Sequence, residues 1–229
     1  IVPEWDDEWA TTQVRPEYFE HLHRYDCMDL GVKIDLTALL FGYFDSRCIA
    51  YDGTKGVLWL EDEDEINGPT MNTLILKDMI QRKELELWKA LEVYRRIADN
   101  NNPLLLQDLA HLHQIYFVPT NKDELHAMVN ELRVFIKRGK LRVSPKCEKL
   151  LGCLRCGVWN NKRDKFDRSP LYGHYDHLAA LVYMVRNLDQ ATDPVPDVIF
   201  ENNDNTFLTP RFKKDTQKIA DLKKIFNLD

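Results

Sequence analysis

No stretch of the 229 residues is long and apolar enough to cross a bilayer. The longest apolar runs, such as Leu104 to Leu106 and Leu178 to Val182, fall far short of the roughly 20 residues that a spanning helix needs. A membrane-spanning helix is therefore excluded. The N-terminus lacks a basic segment followed by an apolar one, so it does not read as a secretory leader. Cysteine is scarce, and its five copies are odd in number and unevenly spread. That argues against a disulfide framework and for free thiols in a reducing, cytosolic compartment. There is no internal repeat and no low-complexity tract. The chain also lacks an initiator methionine, opening on Ile1-Val2-Pro3, and is expected to be an excised domain. What is present is ordinary for a globular protein, with 44% hydrophobic and 30% charged residues. Global disorder is excluded, and the length suits one generous domain or one domain with an appendage.

Charge is polarised along the chain. Residues 1 to 65 hold 16 Asp and Glu against 5 Lys and Arg, a balance of −11, within a formal net charge of −6 for the whole. Between Lys137 and Arg168 eleven basic residues face only Glu148, Asp164 and Asp167. The basic set includes Lys140, Arg142, Lys146, Lys149, Arg155, Lys162, Arg163, Lys165 and Arg168, with Trp159 and Phe166 among them. Phosphate neutralisation calls for such a cluster, and the acidic half offers oxygen ligands for a divalent metal. The alternative is a merely solvated basic face.

The apolar pattern predicts an α/β fold. After a polar lead containing Trp5 and Trp9, Arg24 to Leu30 reads as a first strand and Leu36 to Phe44 as a second. Cys48 to Tyr51 and Val57 to Leu60 flank a turn at Asp52-Gly53, giving a meander of short strands. Beyond Gly68-Pro69-Thr70, Leu76, Met79, Ile80, Leu87, Trp88 and Leu91 recur at helical spacing. Strands then follow at Val93 to Ile97, Ile115 to Val118 and Leu141 to Val143, alternating with helices at Pro103 to His113 and Asp123 to Lys137. Leu178, Leu181, Val182 and Val185 stripe a helix over Leu171 to Leu188. A meander followed by βαβα implies a mixed sheet of five or more strands with helices on both faces. Asp189 to Thr209 reads as an irregular connector, and Thr209-Pro210 opens a last amphipathic helix. Phe212, Ile219, Leu222, Ile225 and Phe226 line one of its sides and five lysines another.

Three acids stand at element boundaries beside otherwise apolar sequence: Asp29, Asp99 and Asp176. A carboxylate at the edge of a hydrophobic run is costly to desolvate unless it is paired, hydrogen-bonded or bound to metal. Three that converge from separate elements would repel one another until a cation neutralises them, and oxygen ligands select Mg²⁺ or Mn²⁺ over zinc. Two such ions can activate water and stabilise the leaving oxygen of a phosphodiester. Local roles stand beside this reading: a turn bond for Asp29, and a cap for Asp99 on the helix near Pro103. Asp176 is flanked by His174 and His177, which is more polar chemistry than a cap requires. Cys147, Cys153 and Cys156 lack the second pair that a zinc site needs. His111, His113 and His126 read as ordinary helix histidines, and Glu61 to Glu65 as a solvated strand end and loop.

The first strand with Asp29-Leu30-Gly31, the strand ending at Asp99, the segment Ile115-Tyr116-Phe117-Val118-Pro119-Thr120-Asn121-Lys122-Asp123, and Gly173-His174-Tyr175-Asp176 leading into Leu178 to Tyr183 together resemble a known family. This is the C-terminal nuclease domain of tailed-bacteriophage terminase large subunits, with the ribonuclease H or RuvC-like fold. The resemblance implies a metal-dependent endonuclease that cuts concatemeric double-stranded viral DNA during packaging in the host cell cytoplasm. By position Asp29, Asp99 and Asp176 match the family's three metal-binding acids, and Asp35 matches an additional acid of some members. Many members carry a further Asp where this chain has Ala179, which puts the ligand count in question and leaves His174 or Asp35 to complete the shell. His174 would orient a ligand or a phosphate. The resemblance also implies an N-terminal ATPase motor, a portal and a small terminase subunit as partners. This sequence has no phosphate loop of its own. The expected layout is a lead over residues 1–22, a nuclease core over 23–188, and a connector with a basic amphipathic helix over 189–229. A junction resolvase or transposase core, or a docking module without metal, would share much of this pattern.

Overall fold

The computed structural model describes residues 1–12, 14–31, 36–67 and 70–197. Six strands form one mixed sheet in the order β5-β4-β1-β2-β3-β6. Its centre is β1 (His23–Asp29), antiparallel to β2 (Leu36–Ile49), which is in turn antiparallel to β3 (Lys55–Asn67). On the other side β1 runs parallel to β4 (Arg95–Asp99), and β4 runs parallel to β5 (Val118–Thr120). The opposite edge is closed by β6 (Leu141–Val143), parallel to β3. The expected architecture of a mixed sheet with helices on both faces holds, with six strands.

Both faces of the sheet are covered, so the apolar strand residues alternate between two cores. Tyr25 and Cys27 of β1, Leu40 of β2 and Ile97 of β4 pack against α3 (Leu125–Lys137), α4 (Glu148–Cys156) and α5 (Asp176–Arg186). Met28, Leu39, Phe41, Tyr43 and Ala98 pack the other way, against α1 (Thr73–Trp88) and α2 (Pro103–His113). Side-chain caps start α1 and α2: Asn72 accepts the Ile75 N–H at 2.9 Å, and Asn102 accepts the Leu105 N–H at 3.2 Å with Pro103 following it. Asp99 therefore does not cap α2. Every residue of α5 from Asp176 to Val185 is buried, because the helix is wedged between the sheet, α3 and α4.

The meander departs from expectation. Cys48 and Ile49 continue β2 rather than starting a new strand, and the hairpin arms run to 14 and 13 residues. The acidic run Glu61 to Glu65 is paired strand, not loop. Glu63 reaches across to accept the backbone N–H groups of Lys149 at 2.7 Å and Leu150 at 3.0 Å, the first turn of α4. Burial pushes its carboxyl up to about 7, against those two donors that favour the anion. A group whose folded value is raised gives stability that is complete below its unfolded value and is lost as pH rises through the folded one. Denaturant unfolding should therefore show the parent losing on the order of 2 kcal/mol between pH 5 and pH 8 relative to Glu63→Gln. Equal pH profiles for the two would refute this. The helix expected after Thr209 lies outside the described residues, as does Asp35.

Candidate active site

Strand parity and register put two carboxylates side by side. Tyr25, Cys27 and Asp29 share the α5 face of β1, and Arg95, Ile97 and Asp99 share the same face of β4. Met28 pairs with Ala98 in the parallel register, so Asp29 and Asp99 end adjacent strands at their carboxyl ends. Asp29 is 8% exposed and Asp99 is fully buried. Asp99 Oδ1 accepts the Leu30 N–H at 3.3 Å, a bond that also fixes the chain as it leaves β1.

The third acid comes from α5. Asp176 is its first residue, 5% exposed, and α5 packs across β1, β2 and β4. Its approach is shaped by backbone rather than by a cap: Gly173 and Tyr175 both have left-handed φ, +56° and +59°. A Cβ on Gly173 would meet Asp176 Oδ2 at 2.7 Å, so a side chain there would push that carboxylate aside, and glycine also takes the left-handed φ at little cost. Burial pushes the Asp29 carboxyl well above its ordinary range, and the charges of Asp99 and Asp176 push it the same way against the pull of Lys122. The Asp29 carboxyl thus feels the charges of both Asp99 and Asp176.

Lys122 is the residue that sequence reasoning passed over. Asp99 pairs with Thr120 in the parallel register, and Lys122 lies two residues beyond. Its ammonium ion-pairs with Asp99 Oδ2 and stands 3.4 Å from Asp29 Oδ1, with the Tyr183 ring centroid 5.4 Å away. The loop is tied down from α5: Arg186 Nη1 donates to the carbonyls of Asn121 and Asp123, both at 3.3 Å, and Asn187 Nδ2 donates to Thr120 Oγ1 at 3.0 Å.

These groups line a cavity of about 400 Å³. Asp29, Asp176, Lys122, His174, Asn101 and Lys165 supply its polar wall, while Leu30, Leu125, Phe166, Ala179 and Tyr183 supply the apolar one. Among the described residues no group of three or more His, Cys, Asp or Glu side chains is gathered closely enough to hold a metal. The donor chemistry nevertheless fits a hard divalent cation: buried carboxylate oxygens meet at a cavity wall, and the missing Cβ of Gly173 keeps space beside Asp176. Cys147 and Cys153 are buried free thiols on the core side of α4, and Cys156 is exposed.

The basic window disperses in space. Lys140 is buried with its ammonium donating to the Lys55 carbonyl, and Arg142 donates to the carbonyls of Gly139 and Leu141. Lys149 pairs with Glu65, and Arg155 pairs with Asp7. Lys146 lines a separate small cavity beside Arg15 and Glu61. Only the loop between α4 and α5, with exposed Lys162, Arg163, Lys165 and Arg168, stands at the carboxylate cavity, which Lys165 and Phe166 help to line. A bridge between Trp159 and Phe166 folds this loop back on itself, and His126 of α3 stacks on Trp159 with centroids 4.5 Å apart.

No family model matches the chain, and none of the curated proteins matches it. Solved structures do. The large terminase of the thermophilic bacteriophage D6E superposes with a TM-score of 0.63 at 15% identity over 82% of this chain, which spans 44% of that protein. The nuclease domain of the P22 large terminase gives 0.57 at 16% identity, covering 78% of this chain and 87% of that one. The nuclease domain of the bacteriophage SPP1 large terminase, solved with bound Mn, gives 0.52 at 13%, covering 76% and 92%. The chain folds as a large-terminase nuclease domain does. Its fold is thus the ribonuclease H-like α/β fold, and the chain spans less than half the length of the D6E terminase chain it matches. Among the described residues no helix is long and apolar enough to cross a membrane.

Proposed function

We propose that this chain is the nuclease domain of a packaging terminase, a divalent-metal-dependent endonuclease that cuts concatemeric double-stranded viral DNA in the host cell cytoplasm. What supports the reading is a cavity at the end of the sheet lined by the buried carboxylates Asp29 and Asp176, with Asp99 next to Asp29 across Lys122 and a basic loop at the rim. Bound Mg²⁺ or Mn²⁺ supplies charge neutralisation at the phosphate and an activated water. Asp29 and Asp176 are the cavity-lining carboxylates that would hold it, and Asp99 fixes the arrangement from behind. His174 is placed to orient a phosphate or a ligand. Lys162, Arg163, Lys165 and Arg168 grip the DNA backbone without reading bases, since phosphate contacts position but do not specify. The Mn-bound SPP1 domain supports the choice of metal, and the D6E terminase, solved also with ADP, supports a covalently linked ATPase as the missing motor. A portal and a small terminase subunit are the remaining partners of this reading.

The test is cleavage of linear and branched duplexes by the chain in Mn²⁺, with a chelator control. Chelator-sensitive cutting of linear duplex is the expected result. Cutting confined to branched junctions would indicate a resolvase instead, and no cutting by a folded, Mn²⁺-loaded chain would overturn the proposal. Reversing two rim charges, Lys162→Glu with Lys165→Glu, should weaken duplex binding about tenfold or more at low salt and flatten the salt dependence by about two phosphate contacts. Fluorescence anisotropy across a salt series checks this, and an unchanged slope would remove the loop from the interface.

A further inference from the structure

The loop between α4 and α5 contains a small hairpin with its own internal frame. On either side of the bridge between Trp159 and Phe166, the Asn160 N–H donates to the Lys165 carbonyl at 3.0 Å and the Asp167 N–H to the Val158 carbonyl at 2.9 Å. At the tip the Arg163 N–H donates to the Asn160 carbonyl at 2.9 Å, and the Asn160 side chain bonds both the side chain and the N–H of Asp164. The root is packed, since Phe166 is buried in the α5-side core and Trp159 leans on that core. The tip is not, for Asn161 to Lys165 are all exposed. Arg163 has a left-handed φ of +58° there, a conformation that is costly for a residue other than glycine and persists only where its surroundings hold it.

His126 holds it. Its Nε2 bonds to the Arg163 carbonyl, and its ring stacks on Trp159 with the planes 23° apart. A carbonyl only accepts, so Nε2 carries the hydrogen. His126 lies in the first turn of α3, next to Leu125 of the carboxylate cavity and shortly after Lys122, whose ammonium meets Asp29 and Asp99. One short segment therefore reaches the carboxylates and also grips the hairpin, whose returning arm puts Lys165 and Phe166 in the wall of the same cavity. Resting on the nuclease reading above, we infer that His126 is a positioning residue for duplex DNA, clasping the hairpin tip to α3 so that Lys162, Arg163 and Lys165 stand at a set place beside the cavity before DNA arrives. A tip without a tether would lose backbone freedom on binding, and ordering it beforehand removes part of that cost. The clasp uses a main-chain carbonyl and an indole face, not a cationic side chain.

The experiment pairs hydrogen exchange over residues 158–167 with fluorescence anisotropy on a linear duplex in metal-free buffer, using the full chain. His126→Ala should speed exchange of these amides about tenfold, the loss of one hydrogen bond and one stack, and weaken duplex binding about fivefold. His126→Gln, which keeps a donor of similar reach, should return both to within about twofold of the parent. The side chain is exposed, so both variants should melt within about 2 °C of the parent. Unchanged exchange in His126→Ala would overturn the clasp, and so would a glutamine that recovers neither quantity. Faster exchange with unchanged affinity would overturn the role in DNA binding and leave the nuclease reading standing. A parent that binds no duplex would bring down the nuclease reading and this inference together.

Discussion

Asp29→Asn is expected to slow Mn²⁺-dependent cleavage of duplex DNA by at least about a thousandfold while raising the melting temperature of the metal-free chain. The first effect follows from the position of Asp29, the one carboxylate that neighbours both Lys122 and the cavity. Losing its charge removes several kcal/mol of cation and transition-state stabilisation, and each 1.36 kcal/mol is a factor of about ten in rate. The second follows from its surroundings. Burial, with Asp99 and Asp176 nearby, holds its folded pKa well above the unfolded value. Its contribution to stability is therefore present below the unfolded pKa, near 4, and is lost as pH rises through the folded value. At neutral pH an uncharged isostere avoids that loss, and a gain of about 1 kcal/mol would raise the melting temperature by roughly 2 to 4 °C for a domain of this size. Single-turnover cleavage and differential scanning calorimetry on the same preparation check the pair. Full activity in Asp29→Asn would end the catalytic assignment, and a lower melting temperature would contradict the electrostatic account.

On the other face of the sheet, Arg96→Met is expected to be among the most damaging single substitutions for stability. Asp26 is fully buried on β1, and Arg96 Nε approaches it at 3.3 Å while making a two-pronged contact to Glu84 at 2.6 and 2.8 Å. Removing the guanidinium strands the buried Asp26 carboxyl and the part-buried one of Glu84, and breaking a buried pair costs about 3 to 5 kcal/mol. The cost should depend on pH. Burial, with Glu84 beside it, already raises the Asp26 pKa, so in acid the stranded acid takes up a proton and the penalty shrinks. Urea unfolding at pH 8 should show the full loss and at pH 5 a smaller one. A loss under about 1 kcal/mol at both values would mean that charge does not hold this cluster.

The sequence disclosed the acids more readily than their company. Asp29, Asp99 and Asp176 stand out because a charge at the edge of an apolar run is conspicuous in one dimension. Lys122 does not, because a lysine in a polar loop has no pattern of its own, and only the parallel pairing of β4 with β5 brings it between two aspartates. The basic window misled for the converse reason. Its members are neighbours along the chain, but β6, α4 and the loop after α4 carry them to different surfaces, where Lys140, Arg142 and Arg155 already have partners. Helix α4 went unforeseen although Cys147, Leu150, Leu151 and Leu154 repeat at helical spacing. Cysteine spacing suggests ligands first, whereas Cys147 and Cys153 serve as small apolar residues of this core. The two strand ends that bear Asp29 and Asp99, and the helices over Pro103–His113 and Leu125–Lys137, were legible because both their periodicity and their stop signals are local.

The burial of α5 from Asp176 to Val185 sets how the site can fail. Its first residue is Asp176, its last turn secures the loop of Lys122, and its flanks are pressed on three sides. Apart from its last residue, Arg186, such a helix has no water-exposed side from which to open, and its core turns open when the cooperative unit around it comes apart. Heat or denaturant would therefore leave few molecules that are folded but have a scattered carboxylate set, and loss of function would track loss of the whole domain.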